Sequence, residues 1–308
     1  MNKTKRLGVS SKLTIWIGLM IVFMLITTTL VSYYQSKNIS FELLKENQLK
    51  VMHDVQTTFD NYTSARMRAI EVLAKKYGAN PDMQIEEMVS LLSSVKDISG
   101  FNLTYVGFEQ SEKTFLLDGT MLDPSKNFDT KNTIWFKQAR DSGKIISTNP
   151  YHSVDSNAPT LTYAAPFYKD GKFRGVIGGD YDLKRFSKDV LTLGHGNNSY
   201  ASVYDTEGKI IFNEDDKKLL TKNTLSINIK NALAGDPKLL DPNVRDTLFY
   251  ADNDKGETQA IMCTPSLTNP SLRICSVLEK KIYDDISNSV LYRQCAIGFS
   301  ALIIILII

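Results

Sequence analysis

The rhythm of hydrophobic and polar positions changes several times along the chain. Residues 13–33, LTIWIGLMIVFMLITTTLVSY, form a run of 21 positions without a charge, about what a helix needs to cross ~30 Å of hydrocarbon. The run passes into Ser32, Tyr33, Tyr34 and Gln35, an interfacial aromatic pattern rather than the small-residue cleavage site of a signal peptide. The expectation is an uncleaved membrane helix over 13–34. Residues 33–77 contain neither glycine nor proline, and Val51, Val55, Phe59, Tyr62, Ala69 and Leu73 recur at helical spacing. A long helix over 35–79 follows. At roughly 65 Å it exceeds what one compact domain needs, so it either runs along the whole folded body or pairs with a second copy of itself. A break near Asn61 is the alternative.

A shorter helix is predicted at MQIEEMVSLLSSVKD, and beyond Gly100 the texture becomes that of strands. FNLTYVGFE, TFLLDG, TLTYAAPFY and FRGVIGGDYD form a first set, the last two joined by Lys169-Asp170-Gly171-Lys172. Asp-Gly between alternating runs is a strong hairpin signal. Short helices are predicted at IWFKQARDSG and LKRFSKDVLTL. The pattern then restarts with a hairpin around Glu207-Gly208, a helix at NTLSINIKNALAG, the strands DTLFYAD, ETQAIMCTP and SLRICSVLE, and a closing helix over 280–292. The expected class is α+β, with a long helix packed across antiparallel sheets. A faint echo between Lys169-Asp170-Gly171-Lys172-Phe173 and Thr206-Glu207-Gly208-Lys209-Ile210 suggests two stacked modules, 80–195 and 196–280, followed by a connecting helix over 281–293.

The last fifteen residues, 294–308, are again uncharged. They are expected to start a second membrane helix of a longer protein, with a tail anchor or a short buried helix as the alternatives. Lys3, Lys5, Arg6 and Lys12 precede the first span with no acid among them, which places residues 1–12 in the cytoplasm by the positive-inside bias. Residues 36–292 then lie on the far side.

Composition narrows the function. Thirty-six Lys and Arg against 34 Asp and Glu give a net charge of +2, and with four of the cations at the amino terminus the remainder is net acidic, so no nucleic-acid partner is expected. Cys263 and Cys275 lie in two apolar runs around the breaker-rich residues 265–270. Facing strands of one hairpin can bring two cysteines within disulfide range, and an exported domain is where such a bond persists; two buried thiols are the alternative. His53, His152 and His195 are scattered without the spacing of metal ligands, so neither a metal nor a cofactor is expected. The sequence has no Gly-x-Ser-x-Gly, P-loop or HExxH motif, and its paired acids (Glu86-Glu87, Asp215-Asp216, Asp284-Asp285) fall in predicted loops or on helix surfaces. No enzyme is expected.

One stretch carries a sharper signal. Trp135-Phe136, Pro150-Tyr151, Ala164-Ala165-Pro166, Tyr168, Gly171-Lys172, Gly175-Val176, Gly178 and Asp180 follow one another at set distances. In that order, between a basic start, a span and a long helix on one side and a smaller module and a second span on the other, they resemble the double Cache ligand-binding region of a bacterial chemoreceptor, a methyl-accepting chemotaxis protein. The resemblance implies PAS-like Cache modules, the first membrane-distal and the second membrane-proximal, flanked by two transmembrane helices. It also implies cytoplasmic signalling partners reached through a region beyond residue 308, and the long helix is expected to associate with its counterpart in a homodimer, the spans holding the two chains parallel. The ligand class implied is a small polar metabolite: an amino acid, an amine or a small carboxylate.

In amino-acid-binding relatives an Arg two residues before the Trp holds the ligand carboxylate together with that Trp, while a Tyr and an Asp hold the ammonium. The matching positions here are Trp135, Tyr151 and Asp180, and the Arg position is Thr133, with Lys131 two residues further back. A hydroxyl cannot replace the bidentate grip of a guanidinium. Without the resemblance, a carboxylate at a strand end with two aromatics nearby still suits an amine. Each residue also has a plain structural reading: Trp135 as core, Tyr151 as surface loop, Asp180 as turn or cap. The same input region serves histidine kinases and diguanylate cyclases, and an anchored adhesion domain is a further alternative.

Overall fold

The computed structural model describes residues 8–153, 157–191, 199–213, 215–241 and 247–307. His195 and the expected module boundary at 195–196 lie outside them. The chain divides into two units, one of Gln48–Leu278 and one of the flanking segments up to Asn47 and from Glu279 onward.

In the flanking unit, the amino-terminal part of helix α1 (Val9–Ala79) contains a stretch of mean hydropathy 2.2, none of it buried, long and apolar enough to cross a membrane. The closing helix α6 (Lys280–Ile307) lies against it, with Gln294 donating to Ser32 Oγ at 2.8 Å and Phe41 stacking on Tyr283. Cys295 is an exposed free thiol.

The larger unit is built on the remainder of α1. Its buried positions include Gln48, Met52, Val55, Phe59, Thr63, Ile70, Leu73 and Tyr77, with Asp60 and Ala74 beside them, and the steps of three, four and seven keep one stripe facing the body. Val55 and Phe59 are almost inaccessible, so most of the stripe that could have paired with a second copy is used by the chain's own sheets. Helix α2 (Ile85–Ser99) covers the first sheet beside α1 and ends at Gly100 in the left-handed region.

The first sheet has seven strands: β1 (Leu103–Phe108), β2 (Thr114–Leu116), β3 (Met121–Leu122), β4 (Ile146–Ser147), β5 (Tyr151–His152), β6 (Pro159–Lys169) and β7 (Lys172–Asp182). They run in the order β3-β2-β1-β7-β6-β4, with β5 also on β6. Helix α3 (Ile134–Ser142) packs on the face away from α1, and α4 (Leu183–Leu191) follows β7. The second sheet is β10-β11-β12-β8-β9, from β8 (Ser199–Asp205), β9 (Ile210–Phe212), β10 (Phe249–Asp252), β11 (Thr258–Pro265) and β12 (Leu272–Glu279), with α5 (Thr224–Gly235) on one side. The short strands β3, β4 and β5 offer too few residues for an alternation to show in the sequence.

The two sheets share one core. A single hydrophobic cluster joins Val55 and Phe59 of α1, Tyr163 and Tyr181 of the first sheet, Phe186 of α4, and Val203, Phe212 and Ile274 of the second. Phe186 is its hub, with ring centroids 5.4 Å from Phe59 and 4.6 Å from Phe212.

Polar ties reinforce it. Gln48 Nε2 donates to the carbonyls of Ala260 and Ser276 at 2.7 and 3.0 Å. Asp60 accepts from the hydroxyls of Ser266 and Thr268, both at 2.7 Å, and from the amides of Leu267 and Thr268 at 3.1 Å. The loop between β11 and β12 is thereby held to α1. The same loop reaches the first sheet, where Asn269 donates to Ser147 Oγ at 3.2 Å and Ser271 to Asn149 Oδ1 at 2.8 Å. Behind it Cys263 and Cys275 form a disulfide, with Cα atoms 4.1 Å apart.

Candidate functional site

The face of the first sheet that α3 covers only in part holds a cavity of about 450 Å³, within the usual range for small-molecule sites. Its base is polar. Asp180, near the end of β7, is 8% exposed, and its Oδ1 accepts from Tyr105 Oη at 2.7 Å and Thr162 Oγ1 at 2.6 Å. Register explains the meeting: Thr162 lies directly opposite Asp180 on β6, and Tyr105 stands on β1 opposite Gly178. A Cβ at residue 178 would collide with the Tyr105 ring, so the glycine is what lets that ring lie across β7 toward the carboxylate.

Proton directions follow from this geometry. Burial, reinforced by the Asp180 charge, holds the Tyr105 phenol well above its ordinary pKa, so it stays protonated and donates to Asp180. Thr162 gives its single proton to the same oxygen. Tyr151 Oη, 2.7 Å from Thr162 Oγ1, must then be the donor in that pair. The hydroxyls around the carboxylate all point their protons inward along the chain Tyr151 to Thr162 to Asp180, with Tyr105 on the other side.

The wall is aromatic and aliphatic. Trp135 sits in the first turn of α3 with its ring centroid 4.7 Å from that of Tyr105. Gly107 makes this possible, because a Cβ there would collide with Thr130 and Trp135. Leu103, Leu116, Leu122, Phe128 and Ile134 complete the apolar lining, and Asn127, Asp129, Asn132, His152 and Ser153 add polar edges.

The structure therefore brings Trp135, Tyr151, Asp180 and Thr133 to one cavity. Thr133, at the start of α3, has its hydroxyl turned back to donate to Thr130 O at 2.8 Å. Lys131 is not brought there. The 3-10 turn Thr130–Asn132 directs it away, and its ammonium is held by Glu112 at 2.9 Å and Glu109 at 3.7 Å. Tyr105 and Thr162 were not evident in the sequence. Tyr105 has no distinguishing neighbour, and the place of Thr162 depends on a register shift between Phe167 and Tyr168.

Known proteins share this architecture. The chain is 28% identical over 176 residues to the methyl-accepting chemotaxis protein PctB of Pseudomonas aeruginosa, an overlap covering 57% of the chain and 27% of PctB. It spans about a quarter to a third of the length of the curated relatives it matches. Among solved structures, the ligand-binding domain of PctB with L-Gln aligns at 21% identity and a TM-score of 0.62, covering 83% of this chain and 98% of that one. The sensory domain of the Campylobacter jejuni chemoreceptor Tlp3, with isoleucine bound, aligns at 20% identity and 0.62, covering 81% and 98%. These likenesses show the fold. The dCache_1 family model, described as Cache domain, matches residues 36–283, and the chain belongs to that family.

Proposed function

We propose that this chain is the sensing portion of a transmembrane bacterial chemoreceptor, and that the cavity beside Asp180 binds a small polar metabolite through an ammonium or hydroxyl group. In this reading residues 36–292 are extracytoplasmic, the amino-terminal part of α1 and the end of α6 are two membrane helices, and the first sheet belongs to the membrane-distal module. Two copies assemble side by side, and cytoplasmic signalling proteins act through a region beyond the sequence described. The observation that carries the reading is the convergence of Tyr105, Thr162 and Tyr151 on one buried carboxylate at the base of a mainly apolar cavity. Such a carboxylate is partnered by the ligand's donor group, with the Trp135 face beside it.

Two features support transmission. Asn149, bonded to Ser271, lies two residues before Tyr151, and β12 leads without a break into α6. A change at the cavity rim thus has a short covalent and hydrogen-bonded route to the closing helix.

Calorimetry with a panel of amino acids, amines and small carboxylates tests the site. Asp180→Ala should abolish binding at micromolar ligand, since truncating one side of a buried charge pair costs about 2–5 kcal/mol, while the unliganded protein melts as before. Unchanged affinity in this variant would move the site elsewhere, first to the second sheet.

A further inference from the structure

Resting on that reading of the site, we infer that its ligand is a primary amine with an apolar body and no carboxylate beside the nitrogen. Among the described lining residues the charged side chains are Asp129 and Asp180, with His152 at the edge, and there is no Lys or Arg. Lys131, next in sequence to the lining residue Asn132, is neutralised by Glu112 and Glu109, and Lys137, which acts on Asp129, is not among the lining residues. An amino-acid carboxylate entering this cavity would lose its hydration and meet carboxylates instead of a counter-charge.

Hydrogen-bond polarity leads to the same conclusion. Tyr105, Thr162 and Tyr151 commit their protons along the chain that ends on Asp180, and Thr133 commits its proton to Thr130 O. These four hydroxyls offer lone pairs, which receive N–H donors, and the N–H groups that Trp135, Asn127 and Asn132 add to the lining are uncharged. The start of α3 does carry partial positive charge, roughly half an elementary charge. That falls short of a full bidentate guanidinium, and Asp129 is close by in sequence and shares the lining. An uncharged polar group or bare hydrocarbon is better matched there than a carboxylate. The remaining walls, Leu103, Leu116, Leu122, Ile134 and the Trp135 ring, suit an alkyl or aryl body.

The test uses amines paired with the amino acids that differ from them only by the carboxylate: 3-methylbutylamine with L-leucine, and 2-phenylethylamine with L-phenylalanine. Each is titrated calorimetrically into the full chain in detergent, as wild type, Asp180→Asn and Thr133→Arg. At least one amine should bind the wild type 100-fold or more tighter than its parent amino acid. Thr133→Arg should shrink that ratio at least tenfold, and Asp180→Asn should weaken the amine at least 30-fold.

Equal or tighter binding of the amino acids to wild type, or no binding of either amine, overturns the inference about ligand class. If Asp180→Asn then abolishes amino-acid binding, the site itself stands. An amine affinity indifferent to Asp180→Asn overturns the site reading and this inference together. Should Thr133→Arg fail to fold, the wild-type ratio decides alone.

Discussion

The two sheets of the larger unit were built from similar material and finished differently. Strands β1 and β7 of the first carry Gly107, Gly175, Gly178 and Gly179, whereas β8–β12 of the second, as described, contain no glycine. On the α5 side the second sheet is filled by Tyr204, Ile229, Phe249, Ile261 and Val277 around the disulfide. On the α3 side of the first sheet the missing Cβ atoms allow Tyr105 and Trp135 to lie close to the backbone, and a cavity with a carboxylate at its base remains. In the first sheet a cavity results from omitting side chains at chosen strand positions, and in the second, where none are omitted, the corresponding face is filled. Binding and stability should therefore be separable by mutation.

The largest expected effect is on stability and lies in the second sheet. Replacing Cys263 and Cys275 together by Ala should lower unfolding stability by about 3 kcal/mol, the value for closing a loop of about a dozen residues. Ligand affinity at 25 °C should hold. The urea midpoint of the detergent-solubilised chain, followed by proteolysis, measures the first, and calorimetry the second. A large loss of affinity would show that the two halves are not separable.

Gly178→Ala makes the converse cut. The added methyl group meets the Tyr105 ring, and overpacking of this kind costs about 1–3 kcal/mol. Because the ring that must tilt away is the one donating to Asp180, affinity should fall further than stability, which titration and melting of the same preparation would compare.

A smaller effect sharpens the picture at high pH. Burial pushes the Tyr163 phenol up to about 12, against about 10 in an unfolded chain. Between those values the unfolded state has released a proton that the native state retains, so stability is intact below pH 10 and declines as pH rises toward 12. At pH 11 the loss from this one group is about 1 kcal/mol. Tyr163→Phe should flatten the decline in urea midpoint over that range.

Legibility in the sequence followed periodicity. The long helix, both sheets' main hairpins and the cysteine pair rest on patterns many residues long, and the helix's buried stripe at Val55, Phe59 and Leu73 was visible among the spaced apolar positions. Which partner that stripe meets was not visible, because an apolar face is silent about whether its complement is a sheet or a second copy. Of the residues that meet at the cavity, Trp135, Tyr151 and Asp180 were named through the family resemblance. The site's supporting residues depended on one irregularity. Lys169 pairs with Lys172 and Tyr168 with Phe173, but a bulge then sets Phe167 opposite Gly175. Counting from the turn without it puts Leu161 across from Asp180, and the bulge substitutes Thr162. Lys131 was misleading for a similar reason: adjacency in sequence said nothing of Glu109 and Glu112, which come from the turn between β1 and β2.

The two bonds of Gln48 also govern how the molecule is made. Its amide is satisfied by carbonyls 212 and 228 residues later in the chain, so the first part of the larger unit to be synthesised is completed by nearly the last. Helix α1 can form as it emerges, but Phe59 meets its ring partners only when Phe186 of α4 and Phe212 of β9 arrive, and Gln48 waits for β11 and β12. Contacts of such sequence separation make assembly slow. During that interval the apolar stripe is open to the same stripe on a neighbouring nascent chain, so the level of expression, more than the final stability, sets how much of this protein is lost to aggregation.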